Sequence, residues 1–376
     1  MKMNCTELFI HLNFTQSTQN VSMSSQMVTL QLMKYYLYDI VIPLVCAFGF
    51  VGNILNVIIF TKKKNNKILD EVEYCTTICL VALAISDMMF CLCTFPNAFL
   101  PERGSFHRSE FMLFYKMYSI AVISTFILSS TLLTVLTAFM RYLAICHPFR
   151  SRQFISVKIT GMAIVVIVVT SIGFNIPSLW RFKQESLPCF SSEDYVSTSR
   201  GDLFNNINFV YAHKLLWAIL GNFLPLAILL YCNICLIRAL HQSKQLRLLH
   251  SRDDTTCLSA HRRINITLIT IIIFFFILVA PSEITKFFFY IIKEYQRDRH
   301  TYKIVSMVTN TLQTINFSVN FILYYVIIAP FRKTLHEFVC ALSRHRRSTE
   351  TREHTSNSGK HTIMLLSVKE QQQNCI

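Results

Sequence analysis

Residues 124–148 read STFILSSTLLTVLTAFMRYLAICHP. Apolar side chains fill a helix-length run, which closes on Met140-Arg141-Tyr142 and then Cys146-His147-Pro148. A run of about 20 apolar residues spans the hydrocarbon core of a bilayer. Arg141 keeps its charge wherever it is placed. A fixed cation at the end of such a helix is either an anchor or part of a switch.

Apolar runs of similar length recur along the chain, near 36–60, 74–101, 110–146, 157–180, 207–240, 264–292 and 302–329. The second, fifth and seventh are broken by polar residues, which blurs their ends. The composition agrees: 52% of the 376 residues are hydrophobic, and only 15% are charged against the quarter usual in soluble domains. Lys and Arg number 36 against 21 acidic residues, a net +15. A soluble nucleic-acid binder shares that charge but not the long uncharged runs, so nucleic acid is not an expected partner. No internal repeat supports a transporter built of two inverted halves.

The flanks set an orientation. Asn4, Asn13 and Asn20 each begin a glycosylation acceptor triplet, which predicts an extracellular tail over residues 1–35. No basic start with an apolar core precedes the first run, which is therefore expected to act as the insertion signal. Seven crossings then put the C-terminus inside. Lys62–Lys64 and Lys67, Arg150 and Arg152, and Arg238 to Arg263 lie on that inner side with the tail, together most of the basic residues. After the seven-span region, 36–329, Phe331, Leu335, Phe338 and Val339 share one helical face, which suits an amphipathic helix over 330–342. Cys340 at its end is a palmitoylation candidate. Residues 343–376 are polar and Ser/Thr-rich, and read as a disordered cytoplasmic tail. Of the 13 cysteines only Cys5 and Cys189 face outward in this scheme. No Cys/His pattern for a metal is present.

Several polar residues sit where lipid would make them costly. Asp87, in LVALAISDMMFCLC, has no neighbouring charge. It is either a protonated, hydrogen-bonded structural carboxyl or a cation site, with Asn53, Ser130, Asn316 and Asn320 as its candidate partners. Pro96, Pro177, Pro225 and Pro281 either fix packing or act as hinges, and Pro281 is the best-placed hinge. Glu283 and Lys286, spaced i and i+3, either pair with each other or line a wet cavity open to the outside. Asn97, Trp180, His213, Lys214, Trp217 and Gln313 lie at comparable outer depth. No nucleophile, metal or phosphate-loop motif for an enzyme is present.

In order and spacing, a set of short motifs resembles the rhodopsin-like G-protein-coupled receptors over about 36–342. They are Gly52-Asn53, Leu83-Ala84-Ile85-Ser86-Asp87, Ser130, Arg141-Tyr142 with Ala144-Ile145-Cys146-His147-Pro148, Phe223 with Pro225, Phe275 with Pro281, and Asn316 to Tyr324 before Phe331-Arg332. Phe321, where most members carry proline, is similar to the invertebrate FMRFamide-type neuropeptide receptors. The resemblance implies an all-α membrane protein: a seven-transmembrane helix bundle with a short C-terminal amphipathic helix. It implies an extracellular peptide ligand, a heterotrimeric G protein, arrestin and a receptor kinase at the tail, membrane lipid as surroundings, and no enzyme activity. No cofactor is implied beyond an allosteric sodium ion held by Asp87, Ser130, Asn316, Asn320 and Asn53. Arg141, Tyr142, Tyr324, Pro281 and Phe275 take the coupling and activation positions. Ile123 stands where amine receptors carry aspartate, and Thr314 where opsins carry their lysine, which argues against both ligand types while leaving position 123 on the ligand side.

The departures are specific. The acidic residue before the arginine is Met140, the sixth-span tryptophan is Val279, and the fifth-span tyrosine is Asn233 with Tyr231 nearby. The third-span cysteine is Lys116, so Cys189 lacks its usual mate and either pairs with Cys5 or stays a free thiol. Two rival functions remain: a chemosensory receptor for a small molecule on the same fold, and more distantly a channel or secondary transporter.

Overall fold

The computed structural model describes residues 25–64, 71–99, 105–107, 110–187, 195–249, 270, 273–274, 276–282, 284–285, 299–328, 331–341 and 343. The glycosylation triplets, Cys5, Cys189, Phe275, Glu283, Lys286 and the last 33 residues lie outside that set.

Helices dominate. The first span begins earlier than its apolar run, as α1 (Ser25–Lys34), and passes through a π turn at Tyr35–Val41 into α2 (Ile42–Lys64). Next come α3 (Glu71–Thr94), the long α4 (Glu110–Cys146), the short α5 (Pro148–Phe154) and α6 (Val157–Asn175). Proline stands at the N-terminus of α5, where its missing N–H costs nothing. Ser156 caps α6 by accepting from the Ile159 amide at 3.3 Å. The fifth span comprises α7 (Asp202–Asn205), α8 (Ile207–Leu216), a π turn at Trp217–Phe223, and α9 (Leu224–Leu249). Pro225 follows that wide turn directly, which suits a residue unable to donate to the preceding turn. The seventh span is α10 (Arg299–Ile327), unbroken at Phe321 where the more usual proline would disturb it.

Five helices among the described residues are long and apolar enough to cross a membrane, and six when Thr301–Val326 is counted with the helix after it. That seventh run falls short alone because it is studded with Thr309, Asn310, Thr311, Gln313 and Thr314. The sixth run is described mainly over 276–282, which is helical. α4 is the hub: it packs on α3, α6 and α9, while α10 packs on α2 and α3.

The sequence reading placed no strand, yet the loops at the start of α4 form a small antiparallel sheet. Its strands are β1 (Ser105–His107), β2 (Phe182–Leu187) and β3 (Tyr195–Arg200), in the order β1-β3-β2. Ser105 pairs with Ser197 and Phe182 with Arg200. Such short, polar strands lack the apolar alternation that announces a half-buried strand. The sheet marks one end of the bundle. Arg141 marks the other, some 45 Å along α4 at about 1.5 Å per residue.

Residues up to Ile327 form one compact unit, and those from Ile328 onward a second. The second contains α11 (Phe331–Ala341), a helix as the apolar stripe predicts. In it the Cys340 thiol lies 3.5 Å from His336 Nδ1.

Candidate functional site

Asp87 is fully buried in the middle of α3. The Ser130 hydroxyl on α4 donates to its Oδ1 at 2.5 Å, and the Asn320 amide on α10 donates to its Oδ2 at 2.7 Å. One carboxylate thus ties three helices together. Both partners are neutral, so the group lacks the paired charge that usually accompanies a buried ion.

Two of the expected partners take other positions. The Asn53 amide donates instead to the Phe317 carbonyl at 2.9 Å, and its oxygen accepts from Asn56 at 3.2 Å. Asn316 is buried one turn before Asn320 and makes no hydrogen bond to Asp87. Asn316 shares a face with Asn320 but sits about 6 Å away along the axis, one turn off the level of Asp87, while the Phe317 carbonyl faces Asn53 on α2.

Close approach of α2 and α10 depends on two glycines. A Cβ on Gly49 would overlap Ser318 Oγ, and one on Gly52 would lie 2.9 Å from the Cβ of Phe321. Phe321 therefore fits here because residue 52 has no side chain. Phe90 and Phe317 stack beside this seam with centroids 4.0 Å apart.

At the Arg141 end, Arg141 is only 5% exposed and Tyr324 only 1%. Tyr324 packs edge-to-face on Phe60 at 5.1 Å. Met140 turns away into an apolar cluster with Cys75, Cys79 and Ile155, where the Cys79 thiol approaches its sulfur at 3.6 Å. Tyr142 shares a hydrogen bond with His147 Nε2 at 3.0 Å and meets the Tyr231 ring at 5.8 Å. Val279 is buried against α9, with Phe276 packed on the same cluster.

The ligand candidates near the sheet are not gathered in one place. Trp217 Nε1 donates to Asn175 on α6 at 3.2 Å. His213 stacks face-on with Phe174 and with Phe209, at 5.9 and 6.0 Å. Both side chains thus serve the packing of α8 and the π turn against α6. Ile123 packs against the cluster holding Cys91 and Phe317. Gln313 is buried, Asn97 and Lys214 are half-buried, and Trp180 is exposed. Asn175, 1% exposed, was missed in the sequence reading. Its signal was the one that exposed Asp87: an amide inside an apolar run. No group of three metal-ligating side chains occurs among the described residues.

Comparison with known proteins decides the family. The family model described as 7 transmembrane receptor (rhodopsin family) matches residues 17–324. The chain belongs to that family. It is a receptor fold with no catalytic machinery, embedded in a membrane through several spans. Similar proteins include an FMRFamide receptor of Drosophila melanogaster, 24% identical over 315 residues, or 80% of this chain and 53% of that protein. The chain therefore spans about half the length of that relative. Sex peptide receptor-related protein 2 of Caenorhabditis elegans is 23% identical over 338 residues, or 82% of this chain and 72% of that protein. A probable G-protein coupled receptor of the same nematode is 25% identical over 334 residues, or 81% and 69%.

Proposed function

We propose that this receptor binds a short extracellular peptide and signals through a heterotrimeric G protein, from the plasma membrane with its N-terminal tail outside. The observation that carries the reading is the Asp87 junction. It joins α3, α4 and α10 between the sheet and Arg141, so a ligand that shifts one of these helices shifts the others. Arg141 and Tyr324 are buried, and coupling requires a second conformation in which the cleft beside them opens to a G-protein segment. Arrestin and a receptor kinase would act at the Ser/Thr-rich tail, with glycans on Asn4, Asn13 and Asn20 and a lipid on Cys340.

The Asp87 junction also suits a sodium ion. A buried carboxylate with two neutral partners, Ser130 and Asn320, offers hard oxygen ligands of the kind a small monovalent cation takes, and the buried Asn316 one turn away is proposed to add another. A bound ion would supply the missing positive charge and favour the closed arrangement, while Ser130 and Asn320 keep the carboxylate oriented. Asn53 would contribute through the α10 backbone it holds.

The peptide assignment rests on relatives named for peptides and on Phe321. Asn97, Lys214, Gln313, Trp180, Glu283 and Lys286 are the residues proposed to meet the ligand. The test is a panel of amidated peptides on cells carrying the receptor and a G-protein recruitment reporter. A peptide response that disappears in Arg141→Ala at equal surface level supports the reading. Responses only to small volatile or lipid molecules would replace it with a chemosensory one.

A further inference from the structure

One cavity lies on the flank of the bundle, toward its Arg141 end. It has a volume of about 630 Å³ and is walled by Leu132, Val135 and Phe139 of α4, Ile167 of α6, and Ala227, Ile228 and Tyr231 of α9. No charged or amide side chain lines it. Every wall residue lies within a membrane span. Phe139 and Tyr231 remain 43% and 58% exposed, so the cavity opens onto the outer face of the bundle rather than its centre. α6 borders the opening through Ile167.

Water needs two to four polar partners to settle in a cavity, and here the wall side chains offer a phenol and the Cys232 thiol. Hydrocarbon is the medium that fits and the medium next to it. Acyl chains surround such a face at very high concentration, so even a weak site is filled by mass action. The wall is also linked to the Arg141 end. The Tyr231 ring touches Tyr142, the residue after Arg141, at a centroid distance of 5.8 Å.

We propose that this groove binds a fatty acyl chain of a membrane phospholipid, and that its occupancy biases the conformation of the Arg141 end through Tyr231 and Tyr142. The chain threads between α4 and α9 and holds the Tyr231 ring against Tyr142. Filling the groove from within would displace the lipid and change the resting activity.

The experiment uses the full chain in phosphatidylcholine nanodiscs in which a fraction of the lipid carries a diazirine in one acyl chain. After irradiation, label is expected on peptides covering 132–139 and 227–232, at least fivefold above the outward residues Leu44, Phe48 and Val51 of α2. Ala227→Trp should lower that labelling at least threefold while leaving α2 labelling unchanged, with Ala227→Leu as a milder variant if the first fails to fold. Even labelling of all outward faces, or labelling undiminished in both variants, overturns the site. Labelling of the same peptides by a diazirine sterol that outcompetes the acyl probe overturns the acyl assignment. Basal G-protein recruitment per surface receptor should change at least twofold in Ala227→Trp, and no change overturns the conformational link. Labelling requires neither ligand nor G protein, so it stands or falls separately from the peptide-receptor reading.

Discussion

Two polar regions of this receptor behaved differently when the chain folded. The Asp87 junction came together from three helices, with Ser130 and Asn320 both on the carboxylate. The residues near the sheet dispersed: Trp217 went to Asn175, His213 to a pair of phenylalanines, and Ile123 to the apolar core. The difference lies in what each side chain could do alone. A carboxylate at mid-depth has no water to fall back on, so its partners are dictated. A tryptophan or histidine near a span's end has an apolar body and a polar tip, and is satisfied by many neighbours.

The sharpest way to break the comparison is to remove the dictated group. Asp87→Ala leaves the Ser130 hydroxyl and the Asn320 amide buried without an acceptor, at about 1–3 kcal/mol for each unsatisfied group. A marked fall in the melting temperature of the purified receptor is expected, with Asp87→Asn closer to the parent because it keeps an acceptor oxygen. If sodium binds at Asp87, replacing sodium by a large organic cation should raise peptide potency in the parent and leave Asp87→Asn unmoved. Equal stability of Asp87→Ala and the parent would mean the junction does not hold the helices.

The second prediction sets the α2–α10 seam beside the open face of α6. Gly49→Ala has to displace Ser318 and Cys91, and Gly52→Ala has to displace Phe321. Overpacking of this kind costs about 1–3 kcal/mol. A Cβ on Gly161 meets nothing within 4 Å, so Gly161→Ala should be neutral or stabilising by up to about 1 kcal/mol through helix propensity. Thermal melts of the three variants check this. Gly52→Ala should also be partly relieved by Phe321→Ala, a coupling measurable in a double-mutant cycle.

These cases show how far the sequence could be read. The helical spans, Asp87 and two of its contacts were legible because burying a charge in an apolar run admits few solutions. α11 followed from one stripe of four apolar residues. Asn53 was assigned to the wrong partner because helical spacing places a residue on a face without saying whether side chain or backbone meets it. The sheet was not legible: Ser105–His107 and Tyr195–Arg200 carry no apolar period, and their pairing depends on how α4 and α6 set the loop ends. The same ladder gives a physical role to those loops in a chain whose α4 carries Lys116 instead of cysteine. β1 and β3 join the loop before α4 to the loop after α6 by backbone hydrogen bonds.

A smaller effect is expected at Met140. Its side chain lies among Cys75, Cys79 and Ile155, so nothing acidic at that position restrains Arg141. Met140→Asp introduces a carboxylate next to the arginine, and an ion pair there contributes on the order of 1 kcal/mol to the closed state, about a fivefold shift. Basal G-protein recruitment per surface receptor should fall, while surface level drops because a carboxylate replaces packed carbon and sulfur. Unchanged basal recruitment at matched surface level would show that the resting state is held elsewhere, with Tyr324 against Phe60 the first place to look.

The mildest prediction bears on the dispersed region directly. Trp217→Phe keeps an aromatic ring for Phe174 and deletes the donor to Asn175 Oδ1. Hydrogen bonds between membrane helices average about 0.6 kcal/mol, so the melting temperature should fall by a degree or two. Asn175 keeps its own bond to the Ser171 carbonyl at 2.9 Å, which limits the damage. Because Trp217 faces α6, peptide potency should move less than threefold, whereas Gln313→Ala and Lys214→Ala should each cost more if those positions meet the ligand. A tenfold loss of potency in Trp217→Phe at normal stability would return Trp217 to the ligand side. The packing of the π turn against α6 would then belong to the binding site, and the contrast between the two regions would reduce to one of depth in the membrane.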